Sequence, residues 1–289
     1  MNYILYHLPQ QKQDELEIIT DIIFKKIPDV RMIVLYGSYA RGDWVEDIHA
    51  EGHITHVYQS DYDILVATKT KKEVESSDAH DRIEKAIEVT KQVKTPYSII
   101  YHTFSYVKRM ITEGHYFFTD IKKEGIQLYC KKGKFSLNAT KILTPQERKE
   151  IAEYDFKQWF KSAKEFYGLY EIALGKRWHK KAAFLLHQST EHFYAAITLV
   201  FVNYRYRLHD IERLGRKAVN HNPQFAKVFP RQTKQEDKAF KLLKRAYIDA
   251  RYKPSYRITK KQLEYLGQQV KKLQRLTNKI CVAKIKSFI

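Results

Sequence analysis

Two aspartates separated by a single residue are the side chains of this 289-residue chain whose types and spacing point most directly to chemistry. Asp61 and Asp63 lie in an apolar segment that ends at residue 66, and in a strand both would point to the same face. Neighbouring carboxylates repel each other, and aspartate is a poor strand former. A divalent cation reverses that cost, because Mg²⁺ and Mn²⁺ take carboxylate and phosphate oxygens as ligands. The pair therefore predicts a metal site formed by Asp61 and Asp63.

A glycine–serine pair supplies the second half of the predicted site. Gly37 and Ser38 follow an apolar segment that predicts a strand ending in a turn. Glycine allows the backbone to turn tightly and approach a ligand closely, and a helix that begins at Ser38 directs free amide groups at a phosphate. Arg41 lies one turn further on and adds positive charge. With the two aspartates, these residues predict binding of a nucleoside triphosphate (NTP) and in-line nucleotidyl transfer.

The elements that must position these residues follow from the spacing of apolar side chains. Helical spacing occurs in residues 11–27 and 80–93. Four short apolar segments predict strands, at residues 32–36, 62–66, 97–101 and 126–129. Because strands and helices alternate, this half of the chain is predicted to form a small mixed sheet with flanking helices.

From about Thr144 onwards the pattern is helical. Thr144 is a capping residue followed by proline and then glutamate, which is typical of a helix start, and two later apolar stripes predict the core of a helical bundle. The connection between the halves is expected in residues 131–143. The predicted fold class is α+β, with a sheet-containing domain at residues 1–135 and an all-α bundle at residues 136–289.

The two motifs together resemble the signature of polymerase-β-type nucleotidyltransferases. The turn reads GSYARG from Gly37 and the strand reads DYDILV from Asp61, which is most similar to the minimal and kanamycin nucleotidyltransferase branches. The resemblance covers about residues 30–130. It implies a nucleotidyltransferase fold in which Gly37 and Ser38 bind the nucleotide phosphates, while Asp61 and Asp63 bind the metal.

The sequence departs from this family at two places. Residues 39–60 form a longer segment between the motifs than the family usually has, and we interpret it as a loop over the site, whose histidines lack the paired second cluster of a zinc site. The third acid that many members carry on the next strand, as base for the incoming hydroxyl, is missing from residues 97–101. Another acid takes this role (Asp120 or one from residues 39–60), or no dedicated base is needed, or the domain binds nucleotide with slow or no turnover.

The helical half resembles a HEPN domain, a family named for its occurrence in higher eukaryotes and prokaryotes and for nucleotide binding. The resemblance rests on residues 181–196, which read KAAFLLHQSTEHFYAA, and continues at residues 209–211 and 247–252. It covers about residues 145–285. Such domains often follow a nucleotidyltransferase in one chain and commonly pair, so the resemblance implies a fusion of the two domains and a homodimer.

Some HEPN domains are ribonucleases that carry a histidine shortly after an arginine. At the matching distances Arg251 is followed by tyrosine, arginine and isoleucine, so we expect no metal-independent ribonuclease activity. Arg251, Lys253 and Arg257 remain predicted phosphate ligands. Three polar residues within one turn either line a polar cleft or form a satisfied network between helices: His187, Gln188 and Glu191.

Composition limits the classes of partner. The formal net charge is +19, and residues 240–289 hold 14 of the Lys and Arg residues against two acids. Such a field attracts polyanions, NTP and RNA among them, unless it is only a solvated helix face. No apolar run approaches the roughly 20 residues that a membrane span needs, and no secretory signal is visible at the N-terminus. Two cysteines cannot form a disulfide framework, so we expect a cytoplasmic protein without membrane contact.

These observations favour a metal-dependent nucleotidyltransferase. It would move a nucleoside monophosphate from an NTP to a hydroxyl of a small molecule, a protein or an RNA, with Mg²⁺ or Mn²⁺ at Asp61 and Asp63. The alternative is a nucleotide-sensing or regulatory protein with weak or no turnover. RNA binding through the basic helical half is a further interpretation.

Overall fold

The computed structural model describes residues 5–51, 54–131 and 141–289. The chain divides into two compact units, Met1–Ile142 and Leu143–Ile289. The boundary predicted between residues 135 and 136 falls in the stretch 132–140, which lies outside the described residues.

Helices and strands alternate in the described part of the N-terminal unit. In chain order they are α1 (Gln10–Lys26), β1 (Val30–Tyr36), α2 (Ser38–Arg41), β2 (Glu46–Glu51), β3 (Ile54–Gln59), β4 (Tyr62–Thr68), α3 (Lys72–Glu75), α4 (Ser77–Thr90), β5 (Tyr97–Thr103), α5 (Phe104–Thr112), α6 (Tyr116–Glu124) and β6 (Ile126–Cys130).

Four of these strands form a mixed sheet in the order β5-β4-β1-β6. β4 and β5 run parallel, whereas β1 is antiparallel to both β4 and β6. The small mixed sheet predicted from the apolar segments is therefore confirmed. Its register places Tyr36, the last residue of β1, opposite Asp63 near the start of β4, so the two motifs come together at one end of the sheet.

Apolar side chains bury one face of the sheet against α1 and α4. Leu16, Ile19 and Ile23 recur at steps of three and four along α1 and are fully buried. They join a core of alternate strand residues and two isoleucines of α4: Ile33, Leu35, Ile64, Val66, Ile83 and Ile87. Each such burial stabilises the fold by about 1.5–3 kcal/mol. Since strand residues alternate between faces, Asp63 points to the opposite face, where the ring of Phe117 in α6 packs on Tyr36.

The segment 39–60, interpreted from the sequence as a loop, is more regular than expected. It contains α2 and the antiparallel hairpin formed by β2 and β3, which pair as a separate two-stranded sheet. The segment is rich in polar residues, so the two strands were not recognised from the spacing of apolar side chains. The side chains of His49, His53 and His56 lie outside the part of the chain that the structure describes.

The C-terminal unit is helical, as predicted, and the fold class α+β is confirmed. Its helices are α7 (Pro145–Gly175), α8 (His179–Val202), α9 (Ile211–His221), a 3₁₀ turn (Pro223–Lys227), α10 (Lys234–Tyr252) and α11 (Lys260–Lys286). Thr144 accepts a hydrogen bond from the Glu147 amide, and the Glu147 side chain bonds back to Thr144, so the predicted helix start is confirmed. α8 packs against α7, α9, α10 and α11 and is buried along most of its length.

Candidate functional site

Gly37 brings the two halves of the predicted site into contact. It lies between β1 and α2 with φ +78°, in the left-handed region that favours glycine. A Cβ atom at Gly37 would stand only 2.6 Å from Oδ2 of Asp63. The turn therefore needs glycine for two reasons: the backbone conformation, and the space that the carboxylate of Asp63 occupies.

The aspartate pair is buried beside this turn. Asp61 and Asp63 expose 2% and 5% of their surface. β4 begins at Tyr62, so strand alternation places Asp63 on a face of the sheet but does not extend to Asp61, which precedes the strand. The strand predicted at residues 62–66 is confirmed. The prediction that the side chains of Asp61 and Asp63 share one face stays a prediction, because Asp61 lies one residue before the strand.

The helix predicted to begin at Ser38 is present, but it is a single turn. α2 ends at Arg41, and the capping residue Gly42 that follows has a φ of +84°, which terminates the helix. The guanidinium of Arg41 is exposed and lies near two carboxylates, with Nε 3.1 Å from Oδ2 of Asp43 and Nη1 3.8 Å from Oε2 of Glu124. A phosphate at Arg41 would therefore compete with these acids for its charge.

The residue beside Asp63 on the neighbouring strand is a serine, and not the acid that the nucleotidyltransferase resemblance led us to expect on that strand. β5 runs parallel to β4, and Ser98 is the register partner of Asp63, so both side chains point to the same face. Ser98 is 1% exposed. Asp120, the alternative base suggested by the sequence, is exposed on α6. Among the described residues, no group of three or more Asp, Glu, His or Cys side chains is arranged to hold a metal ion.

The donor set that the structure does offer suits one kind of cation. Mg²⁺ keeps several waters and is commonly bound by one or two carboxylates plus the phosphate oxygens of a substrate. Asp61 and Asp63 fit this mode in number and kind of ligand, because they are two carboxylates next to the turn at Gly37, against whose backbone the carboxylate of Asp63 packs. Two carboxylates are too few to surround a cation with protein ligands alone.

A cluster that sequence reasoning missed supports the site from the other face of the sheet. Tyr62, the residue between the two aspartates, donates a hydrogen bond from its hydroxyl to Oε2 of Glu15, at 2.9 Å. Glu15 also accepts bonds from the backbone amides of Lys94 and Thr95. Lys12 donates to the Thr95 hydroxyl at 2.7 Å. We call Lys12, Glu15, Tyr62 and Thr95 the Glu15 cluster.

The Glu15 cluster is an ionised, hydrogen-bonded group inside the core. Burial acts to raise the pKa of Glu15, but the hydrogen bonds from Thr95, Lys94 and Tyr62 and the charge of Lys12 outweigh burial and lower it. Burial and the bond to Glu15 raise the pKa of Tyr62, so its hydroxyl stays protonated and donates. One signal was available in the sequence: Lys12 and Glu15 are charged residues in line with the apolar stripe of α1.

Glu46, the first residue of β2, connects the hairpin of β2 and β3 to the Glu15 cluster. Its carboxylate forms an ion pair with Lys12 and accepts a hydrogen bond from the Tyr39 hydroxyl at 3.0 Å. Tyr39 follows the glycine–serine pair, and its ring lies 4.5 Å from the ring of Tyr62. The residues next to both motifs are thus held by one set of contacts, which fixes the turn relative to the aspartates.

In the helical unit the three polar residues of α8 meet a loop histidine. Glu191 accepts a hydrogen bond from Gln188 at 3.2 Å and pairs with Nδ1 of His209 at 3.1 Å. Nε2 of His187 lies 3.0 Å from the carbonyl oxygen of His209. Since a carbonyl only accepts, Nε2 of His187 carries the proton. The structure thus favours the interhelical network over an open cleft for His187, which is fully buried.

Two of the predicted phosphate ligands, Arg251 near the end of α10 and Lys253 directly after the helix, are exposed, but their surroundings differ. The Arg251 guanidinium lies over the rings of Tyr247 and Phe184, 4.3 and 5.0 Å from their centres. Lys253 forms an ion pair with the buried carboxylate of Asp249 at 2.9 Å, which also binds Arg245. Arg251 therefore retains more of its charge for a ligand than Lys253 does.

Comparison with known proteins identifies the helical region. Residues 156–280 match the family model described as HEPN domain. This match lies inside the C-terminal unit and confirms the HEPN resemblance, so the chain carries a HEPN domain. A search of curated proteins found no match to the chain. The mixed sheet of the N-terminal unit is compatible with a nucleotidyltransferase fold. Within the described residues, no helix is both long and apolar enough to cross a membrane.

Proposed function

We propose that the N-terminal unit binds an NTP with a divalent cation and transfers its nucleoside monophosphate to a hydroxyl acceptor. The observation that carries the proposal is the contact between the glycine turn and the aspartate pair: a Cβ at Gly37 would lie 2.6 Å from Oδ2 of Asp63. A phosphate site bordered by metal ligands would use both features, the buried acids and the turn that favours glycine.

Each of the predicted site residues would have its own role in this reaction. Asp61 and Asp63 would hold Mg²⁺ or Mn²⁺, which neutralises the charge that develops on the phosphates during transfer. Gly37 and Ser38 would direct main-chain amide groups at the phosphates. Arg41 would add positive charge at the edge of the site once a phosphate displaces its present acidic neighbours.

A second candidate function is nucleotide sensing without turnover. The specific observation in its favour is Ser98, a buried serine at the register position beside Asp63 where an acid would serve as base. A serine hydroxyl is not basic enough near neutral pH to accept a proton from the acceptor. A HEPN domain fits either a nucleotide-related or an RNA-related role, so it agrees with both candidates.

The test combines a transfer assay with a binding assay on the full chain. Wild type, Asp61→Asn/Asp63→Asn and the control Asp21→Asn, an exposed acid of α1, are incubated with labelled NTPs, Mg²⁺ and candidate acceptors. Transfer by wild type and Asp21→Asn but not by the double variant supports the transferase. Equal labelling by all three proteins rules it out.

Thermal melts with each NTP and Mg²⁺ separate the two candidates. Stabilisation of wild type without any labelled product supports the sensor, since a ligand that binds only the folded state raises the melting temperature. The double variant should lose this shift, and the control should keep it. No response of wild type to any NTP counts against both functions.

A further inference from the structure

We propose that a groove in the N-terminal unit binds a basic peptide segment that also carries an apolar side chain. The groove lies between α1 and β6, an outer strand of the mixed sheet, and has a volume of about 740 Å³. Because α1 packs on the face of the sheet opposite to Asp63, the groove is separate from the aspartate site. This proposal therefore does not depend on nucleotidyl transfer.

Three acids form a stripe along one wall of the groove. Asp14, Glu17 and Asp21 line it at spacings of three and four residues on α1, and all three are exposed. Within the described residues none of them forms an ion pair, and Asp14 accepts only a hydrogen bond from Gln10. Like charges at this spacing repel each other and destabilise a helix. The stripe therefore favours a ligand that brings positive charge.

The charge of the groove is opposite to that of the chain. The formal net charge is +19, yet no Lys or Arg is among the described residues that line the groove. By contrast, Glu46 in the same unit forms an ion pair with Lys12. The groove is thus complementary to a cationic ligand, although the chain as a whole attracts anions.

The uncharged polar residues of the groove offer mainly acceptor oxygens. Nε2 of Gln10 donates to Oδ1 of Asp14 at 2.7 Å. Nε2 of Gln13 donates to a main-chain carbonyl at 2.8 Å, and the Thr20 hydroxyl donates to another at 2.7 Å. Since these donors already have partners, the side-chain oxygens of the three residues suit a ligand that is rich in N–H groups.

Aromatic side chains extend the stripe beyond the acids. Phe24 follows Asp21 by three residues and exposes 51% of its surface, although large aromatic side chains are usually buried. Its ring lies 5.1 Å from the ring of Tyr129 in β6, edge to face. A half-exposed ring beside a groove can pack against an apolar side chain of a ligand. Three leucines also line the groove: Leu5, Leu16 and Leu128.

The combination of charge and apolar surface selects a peptide. A metal ion or a polyamine would satisfy the acids but has no apolar side chain to place against Phe24 and Tyr129. Asp14 and Asp21 are about 10 Å apart along α1. Side chains on alternate residues of an extended peptide are about 7 Å apart, so two or three cations can face the stripe. We therefore expect Lys or Arg on alternate residues next to a leucine or an aromatic residue.

The first experiment selects a random decapeptide display library on the immobilised full chain. We expect wild type to recover peptides that combine two or more Lys or Arg residues with an apolar residue. The charge-reversal variant Glu17→Lys/Asp21→Lys should not recover them. Three results overturn the proposal: recovery of acidic peptides by wild type, recovery of the same basic peptides by the charge-reversal variant, and no recovery by wild type.

Fluorescence anisotropy then measures the affinity of the most frequently recovered peptide for variants of the full chain. Glu17→Gln is compared with Glu88→Gln, an exposed acid of α4 that does not line the groove. Phe24→Ala is compared with Tyr154→Ala, an exposed aromatic residue of α7. Circular dichroism melts confirm that each variant is folded.

We expect Glu17→Gln to weaken binding by about two- to fivefold and Phe24→Ala by roughly tenfold, the effects of losing an exposed ion pair and an apolar contact. The Glu88→Gln and Tyr154→Ala variants should bind like wild type, and affinity should fall as salt rises. Spermidine that competes as well as the unlabelled peptide would show that the groove takes any polycation. That result, or equal affinities of the Phe24→Ala and Tyr154→Ala variants, overturns the proposal.

Discussion

A methyl group added at Gly37 would collide with the carboxylate of Asp63, because the two positions face each other across the end of the β1–β4 pair. Gly37→Ala therefore combines a backbone penalty of about 1–3 kcal/mol, because φ +78° with ψ −156° is a conformation that essentially only glycine adopts, with displacement of a predicted metal ligand. We expect a lower melting temperature and loss of stabilisation by NTP with Mg²⁺. The measurement is a thermal melt of the full chain with and without each NTP.

Gly42→Ala is the matched control for this variant. Gly42 also has positive φ, +84°, but the nearest atom to an added Cβ is Cδ2 of His7 at an ordinary 3.7 Å. It should lose about 1–2 kcal/mol of stability, less than Gly37→Ala loses, and keep its response to NTP. If both variants respond to NTP as wild type does, the turn at Gly37 is not part of a nucleotide site.

The local structure around Gly37 was easier to predict from the sequence than the pairing of the strands around it. Local rules predicted a strand, a glycine turn and a helix start at Gly37 and Ser38, and the structure contains all three. Whether Asp63 contacts the turn depends on which strands pair and in which register. Strand pairing joins residues that are far apart in the chain, and it cannot be predicted from the local pattern of one sequence. The confirmed strands were those rich in apolar residues, whereas the more polar hairpin in residues 39–60 was missed.

The Glu15 cluster shows a second limit of sequence reading. Its members come from α1, β4 and the residues before β5, and nothing in the spacing of Lys12, Tyr62 and Thr95 connects them. The sequence shows that Lys12 and Glu15 are charged residues within the apolar stripe of α1, but it does not show which residues are their partners. Buried polar groups are paired in folded proteins, so such an anomaly predicts that partners exist without naming them.

Glu15→Gln tests how much the Glu15 cluster stabilises the N-terminal unit. The pKa of folded Glu15 lies below its ordinary value of 4.5. The stabilisation by its charge is therefore complete above about pH 4.5 and is lost as pH falls through the lower folded pKa. We expect the variant to lose about 1–3 kcal/mol at pH 7, because Tyr62 and two amides bond to the carboxylate, and the difference from wild type to shrink in acid.

The measurement is urea unfolding followed at the backbone amides of β4 by NMR, at pH 7 and at pH 3. Glu17→Gln, an exposed acid on the same helix, should match wild type at both values. A Glu15→Gln variant as stable as wild type at pH 7 would show that the buried charge contributes nothing net.

His187 gives a prediction about protonation in the HEPN domain. Burial lowers its pKa to about 4, and the charge of Glu191 opposes part of this effect. The ring should stay neutral down to about pH 5, and Glu191→Gln should lower its pKa further. Since the pKa of folded His187 lies below its ordinary value of 6.5, its contribution to stability is complete above that value and is lost between about pH 6.5 and 4, up to roughly 3 kcal/mol.

Imidazole nitrogen chemical shifts recorded from pH 8 to pH 4 check this directly. The Nε2-protonated form should persist at neutral pH, because this nitrogen donates to the His209 carbonyl. A His187 ring that becomes charged near pH 6.5 would contradict the burial on which the network depends.

Ser98→Asp distinguishes a transferase that lacks only a base from a nucleotide sensor. Ser98 and Asp63 are register partners on one face, so an acid at position 98 would lie beside the predicted metal ligands. If a base is all that is missing, nucleotidyl transfer should rise by about 10²-fold or more. Without a cation, a third buried carboxylate should repel the other two and lower the melting temperature by several degrees, roughly 2–4 °C per kcal/mol.

Ser98→Asn controls for size, since it places a side chain of nearly the same shape there without charge. The melting temperature of Ser98→Asp should rise more on addition of Mg²⁺ after EDTA treatment than that of Ser98→Asn, because the third carboxylate adds repulsion that the cation relieves. A Ser98→Asp variant that recovers with Mg²⁺ but shows no gain in transfer assigns the site to nucleotide binding without turnover. If Mg²⁺ changes the melting temperature of neither variant after EDTA treatment, no cation binds beside Asp63, and this result contradicts the metal site on which both functions proposed for the N-terminal unit depend.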